Sequence, residues 1–180
     1  MYILGIDPGF ASLGWAICTQ EEGVLHAKIC GVITTEKSTK KLNTRSSEDN
    51  IRRAQNMYTD VASLLTNYPV NMVCTETMSW PRNAGVVAKM GIAWGVIASA
   101  CHQWRVMMLQ ASPMEIKRAV TGDGKASKER MIAAIKLRFP ELPLPPQETL
   151  QEHAADAVGA VIACQESQLF KAWEHHARGI

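Results

Sequence analysis

The stretch ILGIDPGFASLGWAI, residues 3–17, decides the fold, because an apolar strand within it ends on a carboxylate. Residues 2–6 are apolar and typical of a buried strand, and Asp7 follows at its end, just before Pro8 and Gly9. Removing an ionised carboxylate from water costs free energy unless a partner compensates for it. Asp7 therefore either shares a site with other groups or only forms the turn that the Pro-Gly pair begins.

The rest of the pattern predicts an α/β fold with a mixed sheet. Residues 13–20 and 24–35 indicate two further strands joined by a hairpin turn at 21–23, so the first three strands run antiparallel. The later elements are a helix at 47–68, a strand at 70–76, a helix at 84–104, a strand at 106–111 and three more helices, the last from near residue 150. We therefore predict one domain over residues 1–180, in which helices flank a mixed five-stranded sheet.

The composition is that of a soluble globular protein, since 47% of the 180 residues are hydrophobic and 20% are charged. A net charge of +2 does not by itself indicate a nucleic-acid partner. The most apolar stretch, residues 90–101, is too short to span a bilayer, and the chain shows no secretory signal. We therefore expect a cytoplasmic protein without a membrane partner, whose five cysteines are reduced packing residues.

Further acidic residues interrupt apolar elements in the same way as Asp7. Glu76 ends the strand at 70–76, and neighbouring strands that end at one sheet edge place such residues side by side. His153 and Asp156 are three residues apart in an otherwise apolar helix, so they project from nearly the same face. Carboxylates that lie close together repel one another unless a cation sits between them.

These four residues predict a divalent-metal site for Mg²⁺ or Mn²⁺, because hard oxygen ligands suit these ions. Two ions roughly 4 Å apart can hold a phosphodiester and activate water for in-line attack. Asp7 would bridge both ions, Glu76 and Asp156 would each hold one, and His153 would ligate a metal or orient the water. Each residue also has a plainer interpretation: Glu76 as a solvated strand end, and His153 with Asp156 as a cap or a local pair.

Four segments resemble the RuvC family of Holliday junction resolvases: ILGIDPGFASLGWAI, VCTE, SPMEIKRAVTGDGKASKERM and EHAADAVGAVIA. The resemblance runs in order across most of the chain. It implies an RNase H-like fold, a homodimer, and magnesium-dependent nicking of two like-polarity strands in a four-way DNA junction. It places the family's catalytic positions on Asp7, Glu76, His153 and Asp156. The third position is an aspartate in some members and a histidine in others.

The resemblance also indicates residues that contact DNA. The family's two functional lysines fall on Lys117 and Lys128, which as point charges can approach a scissile phosphate, although a solvated surface position is the alternative. In the loop after the second acid, TMSWPRN, the family places residues that stack on unpaired bases at the crossover. Here Trp80 would stack and Arg82 would stack or bind phosphate, while ordinary packing is the other interpretation of Trp80.

Two more segments have open interpretations. The polar stretch at 36–50, with Lys40 and Lys41, is either a solvated loop or a basic arm that meets DNA phosphate. The helix at 84–104 carries Gly91, Gly95 and Ser99 at four-residue intervals, which allows close approach of another backbone. This small-residue face would lie at a dimer interface or pack against the sheet.

Three other functions are compatible with parts of the pattern. An ATPase of the actin-like superfamily also begins with a strand, an Asp and a Gly-containing turn. Such an ATPase needs two of these domains, and 180 residues are too few for both. A related RNase H-like nuclease acting on structured RNA is the second. The third is a junction-binding protein without catalysis. No residue pattern identifies a branch-migration partner.

Overall fold

A computed structural model describes residues 1–39, 44–78 and 82–177. For residues 176 and 177 it describes the backbone alone. Lys40, Lys41 and Trp80, which the sequence predicts to contact DNA, lie outside these ranges. The five strands are β1 Tyr2–Asp7, β2 Ser12–Glu21, β3 Val24–Thr34, β4 Val70–Glu76 and β5 Met107–Ala111. The helices are α1 Ser46–Asn67, α2 Ala84–Trp104, α3 Pro113–Thr121, α4 Lys128–Arg138, α5 Glu148–Gln165 and α6 Gln168–Ala177.

The strands form one mixed sheet in the order β3-β2-β1-β4-β5. β1 pairs antiparallel with β2, and β2 antiparallel with β3. β4 runs parallel to β1, and β5 runs parallel to β4. This architecture confirms the predicted mixed five-stranded sheet flanked by helices. The carboxyl ends of β1 and β4 consequently reach the same edge of the sheet, as the strand-end acids led us to expect.

Both faces of the sheet are covered by helices, which explains why its strands are almost continuously apolar. Alternate residues of a strand face opposite sides. Ile3 of β1 therefore packs in the core on the α5 face, and Leu4 packs in a second core beneath α1 and α2. All five cysteines are free and buried, as expected for packing residues.

Two glycines allow α5 to lie directly on the sheet. A Cβ atom added to Gly5 of β1 would stand 2.1 Å from the backbone oxygen of Ala157. A Cβ atom added to Gly14 of β2 would stand 2.0 Å from the backbone oxygen of His153. Real side-chain atoms do not tolerate such distances, so only glycine fits at these two positions. The close approach brings the first half of α5, with His153 and Asp156, over the ends of β1 and β2.

The small residues that recur at four-residue intervals in α2, Gly91, Gly95 and Ser99, point away from the sheet. Ala93, Ile97 and Ala100 are buried against the α1 side of the core, whereas Gly91 and Gly95 are exposed. A Cβ atom on Gly95 would meet no other atom within 4 Å. Packing against the sheet, the alternative that the sequence left open for these small residues, is therefore wrong.

The same helix is longer than its most apolar stretch suggested. The 21 residues Ala84–Trp104, with a mean hydropathy of 1.6, are long and apolar enough by length and composition to cross a membrane. A third of that window, 33%, is buried within the fold. Among the described residues, the exposed part of this helix includes Val86, Gly91, Gly95 and Ser99.

Candidate active site

Asp7 and Glu76 end adjacent parallel strands in register. Ile6 of β1 pairs with Thr75 of β4, so the residue after each of them occupies the next position along the two strands. Alternation from Ile3 and from Cys74, both in the α5-side core, turns the side chains of Asp7 and Glu76 toward α5. The pairing of β1 with β4 thus places two carboxylates side by side beneath one helix.

His153 of α5 contacts Asp7 directly. Its Nδ1–H donates a hydrogen bond to the Asp7 Oδ2 atom at 2.6 Å, and both side chains remain partly accessible. This hydrogen bond is the main reason that the pKa of His153 is raised, against the opposing effect of burial. The contact therefore makes the imidazole easier to protonate, next to one carboxylate of the cluster.

Glu76 and Asp156 each hold a proton more strongly than an ordinary carboxyl group. Burial, followed by the charge of Asp7, raises the pKa of Glu76 to about 7, and Lys117 opposes this. Burial, followed by the charges of Asp7 and Glu76, raises the pKa of Asp156 to about 7, and His153 opposes this. The three carboxyl groups are thus mutually repulsive and share one electrostatic environment.

The donor chemistry fits hard divalent cations, but the acids are not in ligand positions without them. Across the described ranges, no group of three or more His, Cys, Asp or Glu side chains is assembled so that it can hold a metal ion as it stands. Asp7 is engaged by His153, and the other two acids have pKa values near neutrality. Three carboxylates and an imidazole are donors that Mg²⁺ and Mn²⁺ accept. An arriving cation must displace protons and rearrange the His153–Asp7 pair.

Both predicted lysines lie at the margin of this cluster. Lys117, half-buried on α3, lowers the pKa of Glu76 by its charge. Lys128, the first residue of α4, forms an ion pair with Glu152 of α5. The hydrogen bond from Lys128 to Glu152 raises the pKa of Lys128, and the charge of Asp156 adds to the effect. Glu152 was not identified from the sequence, although its position directly before His153 on α5 was a signal for it.

The connection between α3 and α4 fixes both lysines. Gly122, at φ 78°, ends α3 in the left-handed conformation that favours glycine. Asp123 then accepts hydrogen bonds from the Lys125 N–H at 2.9 Å and from the Arg130 guanidinium at 2.7 Å. The Gly-rich turn seen in the sequence therefore determines where Lys117 and Lys128 stand relative to α5.

Comparison with known proteins shows the family to which the chain belongs. A family model described as crossover junction endodeoxyribonuclease RuvC matches residues 3–164. The chain belongs to this RuvC family. A RuvC crossover junction endodeoxyribonuclease of Natranaerobius thermophilus is 31% identical over 95% of this chain and 97% of its own length. The Rickettsia bellii protein of the same description is 32% identical, over 91% and 96% respectively.

Solved structures of RuvC and of another resolvase share the fold. Thermus thermophilus RuvC in complex with Holliday junction substrate superposes with a TM-score of 0.72 at 22% identity, covering 91% of this chain and 92% of that one. The yeast mitochondrial Holliday junction resolvase Ydc2 gives a TM-score of 0.61 at 14% identity, covering 89% and 76%. The RNase H-like arrangement implied by the sequence is thereby confirmed.

Arg82, the predicted DNA contact in the RuvC loop that follows Glu76, stands exposed beside the start of α2. The next residue, Asn83, caps that helix by accepting hydrogen bonds from the N–H groups of Gly85 and Val86, at 2.9 and 3.2 Å. The Arg82 side chain is therefore accessible to a ligand at the start of α2.

One buried basic residue, which contacts the loop after Asp7, was not identified from the sequence. Arg53 of α1 donates from Nε to Thr35 Oγ1 at 3.1 Å and from Nη2 to the Phe10 backbone oxygen at 3.4 Å. Its guanidinium also lies 4.3 Å from the centre of the Phe10 ring. Phe10 belongs to the loop that directly follows Asp7. Arg53 reads as part of the solvated side of an amphipathic helix, so only the fold reveals this contact.

Proposed function

We propose that this RuvC-family chain is a divalent-metal-dependent nuclease that cuts two like-polarity strands of a four-way DNA junction. The observation that carries the proposal is the convergence of Asp7, Glu76, His153 and Asp156, from three separate elements, at one sheet edge. Acids that raise one another's pKa repel DNA phosphate unless cations neutralise them. A protein that only binds junctions gains nothing from such a cluster, and this supports catalysis.

Asp7, Glu76, Asp156 and His153 are the residues that would hold the ions, two Mg²⁺ per site with Mn²⁺ as a substitute. Such ions, when bound, polarise water and neutralise the charge that develops on a phosphodiester. The chain's own contribution is to bring hard oxygen donors from β1, β4 and α5 into one partly buried position. Partial burial strengthens each electrostatic interaction there relative to open water.

The remaining residues position the substrate and the acids. His153, hydrogen-bonded to Asp7 at 2.6 Å, holds the orientation of that carboxylate and supplies compensating charge. Lys117 lies close enough to Glu76 to lower its pKa and can stabilise a phosphate brought to the acids. Lys128 is paired with Glu152 and is proposed to exchange this partner for the scissile phosphate.

We also propose a homodimer that meets through the outward face of α2. Gly91, Gly95 and Ser99 are exposed there, and small residues allow a second helix to approach closely. A two-fold dimer would present two sites to a junction whose arms are nearly two-fold symmetric. If a second copy of the chain covers this face, lipid is not needed to cover it. This fits the cytoplasmic location that we propose for the protein.

A labelled four-way junction incubated with the protein and Mg²⁺ tests the activity. We expect paired nicks at symmetric positions in two strands of like polarity. An Asp156→Asn variant should still bind the junction but cut about 10²–10⁴-fold more slowly. Asp60→Asn, an exposed aspartate in the middle of α1, is the matched control and should cut normally.

Normal cutting by the Asp156→Asn protein would contradict the proposed site. Cutting of structured RNA in preference to the DNA junction would redirect the substrate assignment. The dimer is tested separately by sedimentation, where Gly95→Arg should yield a monomer because its side chain blocks close approach of the second helix. A dimer that survives this change would place the interface elsewhere.

A further inference from the structure

A basic recess lies behind the sheet edge, on the face opposite the carboxylates. It has a volume of about 250 Å³, and its lining includes Lys37, Asn50, Arg53 and Lys89. Lys37 follows β3, Arg53 lies on α1, and Lys89 lies on α2, so three separate elements contribute positive charge. We call this feature the Arg53 recess. Its volume is several times the roughly 30 Å³ that one water molecule occupies in the liquid.

Arg53 is buried and has no negative partner among residues 1–39, 44–78 and 82–175. Its residue exposure is only 3%, and its contacts are neutral: Thr35 Oγ1, the Phe10 backbone oxygen and the Phe10 ring. Within the part of the chain that the structure describes, the ion pairs formed by arginine involve Arg52 and Arg130 and not Arg53. A buried charge that lacks a counter-charge is costly, and a bound anion would remove that cost.

Asp49, the carboxylate among the described lining residues, is committed to other groups. Asp49 lies one helical turn before Arg53 but accepts hydrogen bonds from Ser38 Oγ at 2.6 Å and from Arg52 Nη2 at 2.8 Å. The Ser38 hydrogen bond, followed by that of Arg52, lowers the pKa of Asp49 to about 2. Asp49 is therefore balanced by Arg52, and Lys37, Arg53 and Lys89 leave the recess net positive.

The recess is connected to the catalytic edge through Phe10. The Phe10 backbone oxygen accepts from both Thr35 Oγ1, at 2.5 Å, and Arg53, and Phe10 stands three residues after Asp7. An anion held by Arg53 would therefore sit across the Asp7 loop from the proposed metal site. In a nuclease, the abundant anion near the scissile bond is another phosphate of the same substrate.

We propose that the Arg53 recess binds one non-scissile backbone phosphate of the junction, with Arg53 at its floor and Lys37 and Lys89 at its mouth. This inference rests on the proposed junction-cutting function. Phosphate contacts of this kind set register and orientation and carry no sequence information. The recess thus positions the strand relative to Asp7 and contributes to affinity more than to the chemical step.

Binding of an intact four-way junction in EDTA, measured over a series of salt concentrations, tests the inference. Lys37→Gln and Lys89→Gln should each reduce the slope of log K against log salt by about one, and weaken binding about 3- to 10-fold. Cutting at saturating junction should stay within about twofold of wild type. Lys171→Gln, on α6 at the opposite end of the sheet, is the matched control and should change neither quantity.

A scan of single methylphosphonate substitutions, each of which removes one phosphate charge, locates the contact. One position should weaken wild-type binding several-fold and cause no further loss in the Lys37→Gln/Lys89→Gln protein. Arg53→Lys, which keeps the charge, should retain more of the salt slope than Arg53→Gln. The lysine variants keep the test valid if the Arg53 variants do not fold.

Folded lysine variants with the wild-type salt slope would overturn the recess proposal, as would methylphosphonate effects that add to the variants at every position. A wild-type protein that neither binds nor cuts a junction would instead overturn the proposed function. The two failures are therefore distinguishable, because only the second affects the wild-type protein.

Discussion

The two faces of the sheet carry opposite charge at the end where β1 stops. On the α5 face, Glu76 and Asp156 have pKa values of about 7 because burial and mutual repulsion disfavour their charged forms. On the α1 face, Arg53 is 3% exposed, and its partners among the described residues are neutral. On the first face, His153 and Lys117 offset only part of the acidic charge, and on the second, Asp49 pairs with Arg52 and not with Arg53. Under the two proposals made above, metal ions would balance the acidic face and a DNA phosphate would balance Arg53.

The first and largest expected effect separates catalysis from stability on the acidic face. Glu76→Gln should reduce junction cutting by about 10²–10⁴-fold. It should also raise the melting temperature of the metal-free protein at pH 8. An ordinary glutamate titrates near 4.5, and Glu76 titrates at about 7, so folding disfavours its ionised form. The resulting loss of stability grows as the pH rises from about 4.5 through 7 and is complete at pH 8.

Thermal melts in EDTA at pH 5 and pH 8, together with a cleavage assay, check both parts of this prediction. The stability gain should be present at pH 8 and smaller at pH 5, where Glu76 is already protonated. Glu21→Gln, an exposed glutamate at the end of β2, is the control. A Glu76→Gln protein that is less stable than wild type at pH 8 would show that Glu76 stabilises the fold.

The second prediction tests how α5 reaches the acidic face. Gly14→Ala would place a Cβ atom 2.0 Å from the His153 backbone oxygen, so α5 must move away from β2. We expect a loss of about 1–3 kcal/mol in the free energy of unfolding and a large loss of cutting. Gly85→Ala, whose added Cβ atom would meet only the Asn83 side-chain oxygen at 3.2 Å, is the matched control for chemical denaturation. Equal stability of the two variants would mean that α5 does not rest on Gly14.

The third prediction concerns the pH dependence of stabilisation by Mg²⁺. The ion requires deprotonated acids, and Glu76 and Asp156 titrate at about 7 in the metal-free protein. At tenfold excess over its dissociation constant, the ion should add about 1.4 kcal/mol of stability. That corresponds to about 3–6 °C in melting temperature at pH 8. The shift should shrink toward zero at pH 5. A shift of equal size at both pH values would exclude these acids as the ligands.

The smallest expected effect belongs to the basic face. Asp49 titrates at about 2, below its ordinary value of 3.8, because Ser38 and Arg52 hydrogen-bond to its charged form. This contribution to stability is complete above pH 4 and is lost as the pH falls through 2. Asp49→Asn should therefore lower the melting temperature slightly at pH 7, and the difference from wild type should vanish near pH 2. A difference that persists there would point to packing and not to charge.

Local pattern was sufficient for the elements and for the acids. Each strand is a short apolar run bounded by turn residues, so the order of the strands and of the first five helices followed from neighbours in the chain. The sixth helix, α6 Gln168–Ala177, was not predicted. The strand-end positions of Asp7 and Glu76 and the shared face of His153 and Asp156 are also local facts. Their convergence needed only that β1 and β4 run parallel, which the β-α-β order of the chain favours.

Contacts between distant residues were beyond the reach of pattern. The outward direction of Gly91 and Gly95 depends on which face of α2 the sheet selects. The Lys128–Glu152 pair and the Arg53–Phe10 contact join residues that are far apart in sequence, and no periodicity relates them.

The sequence by itself determined the order of elements and the identity of the clustered acids, because apolar periodicity and strand ends are properties of adjacent residues. The tertiary structure alone decided which charges are balanced. A charge is compensated or left bare by what the folded chain places within a few ångströms of it, and that depends on every contact that orients the surrounding strands and helices.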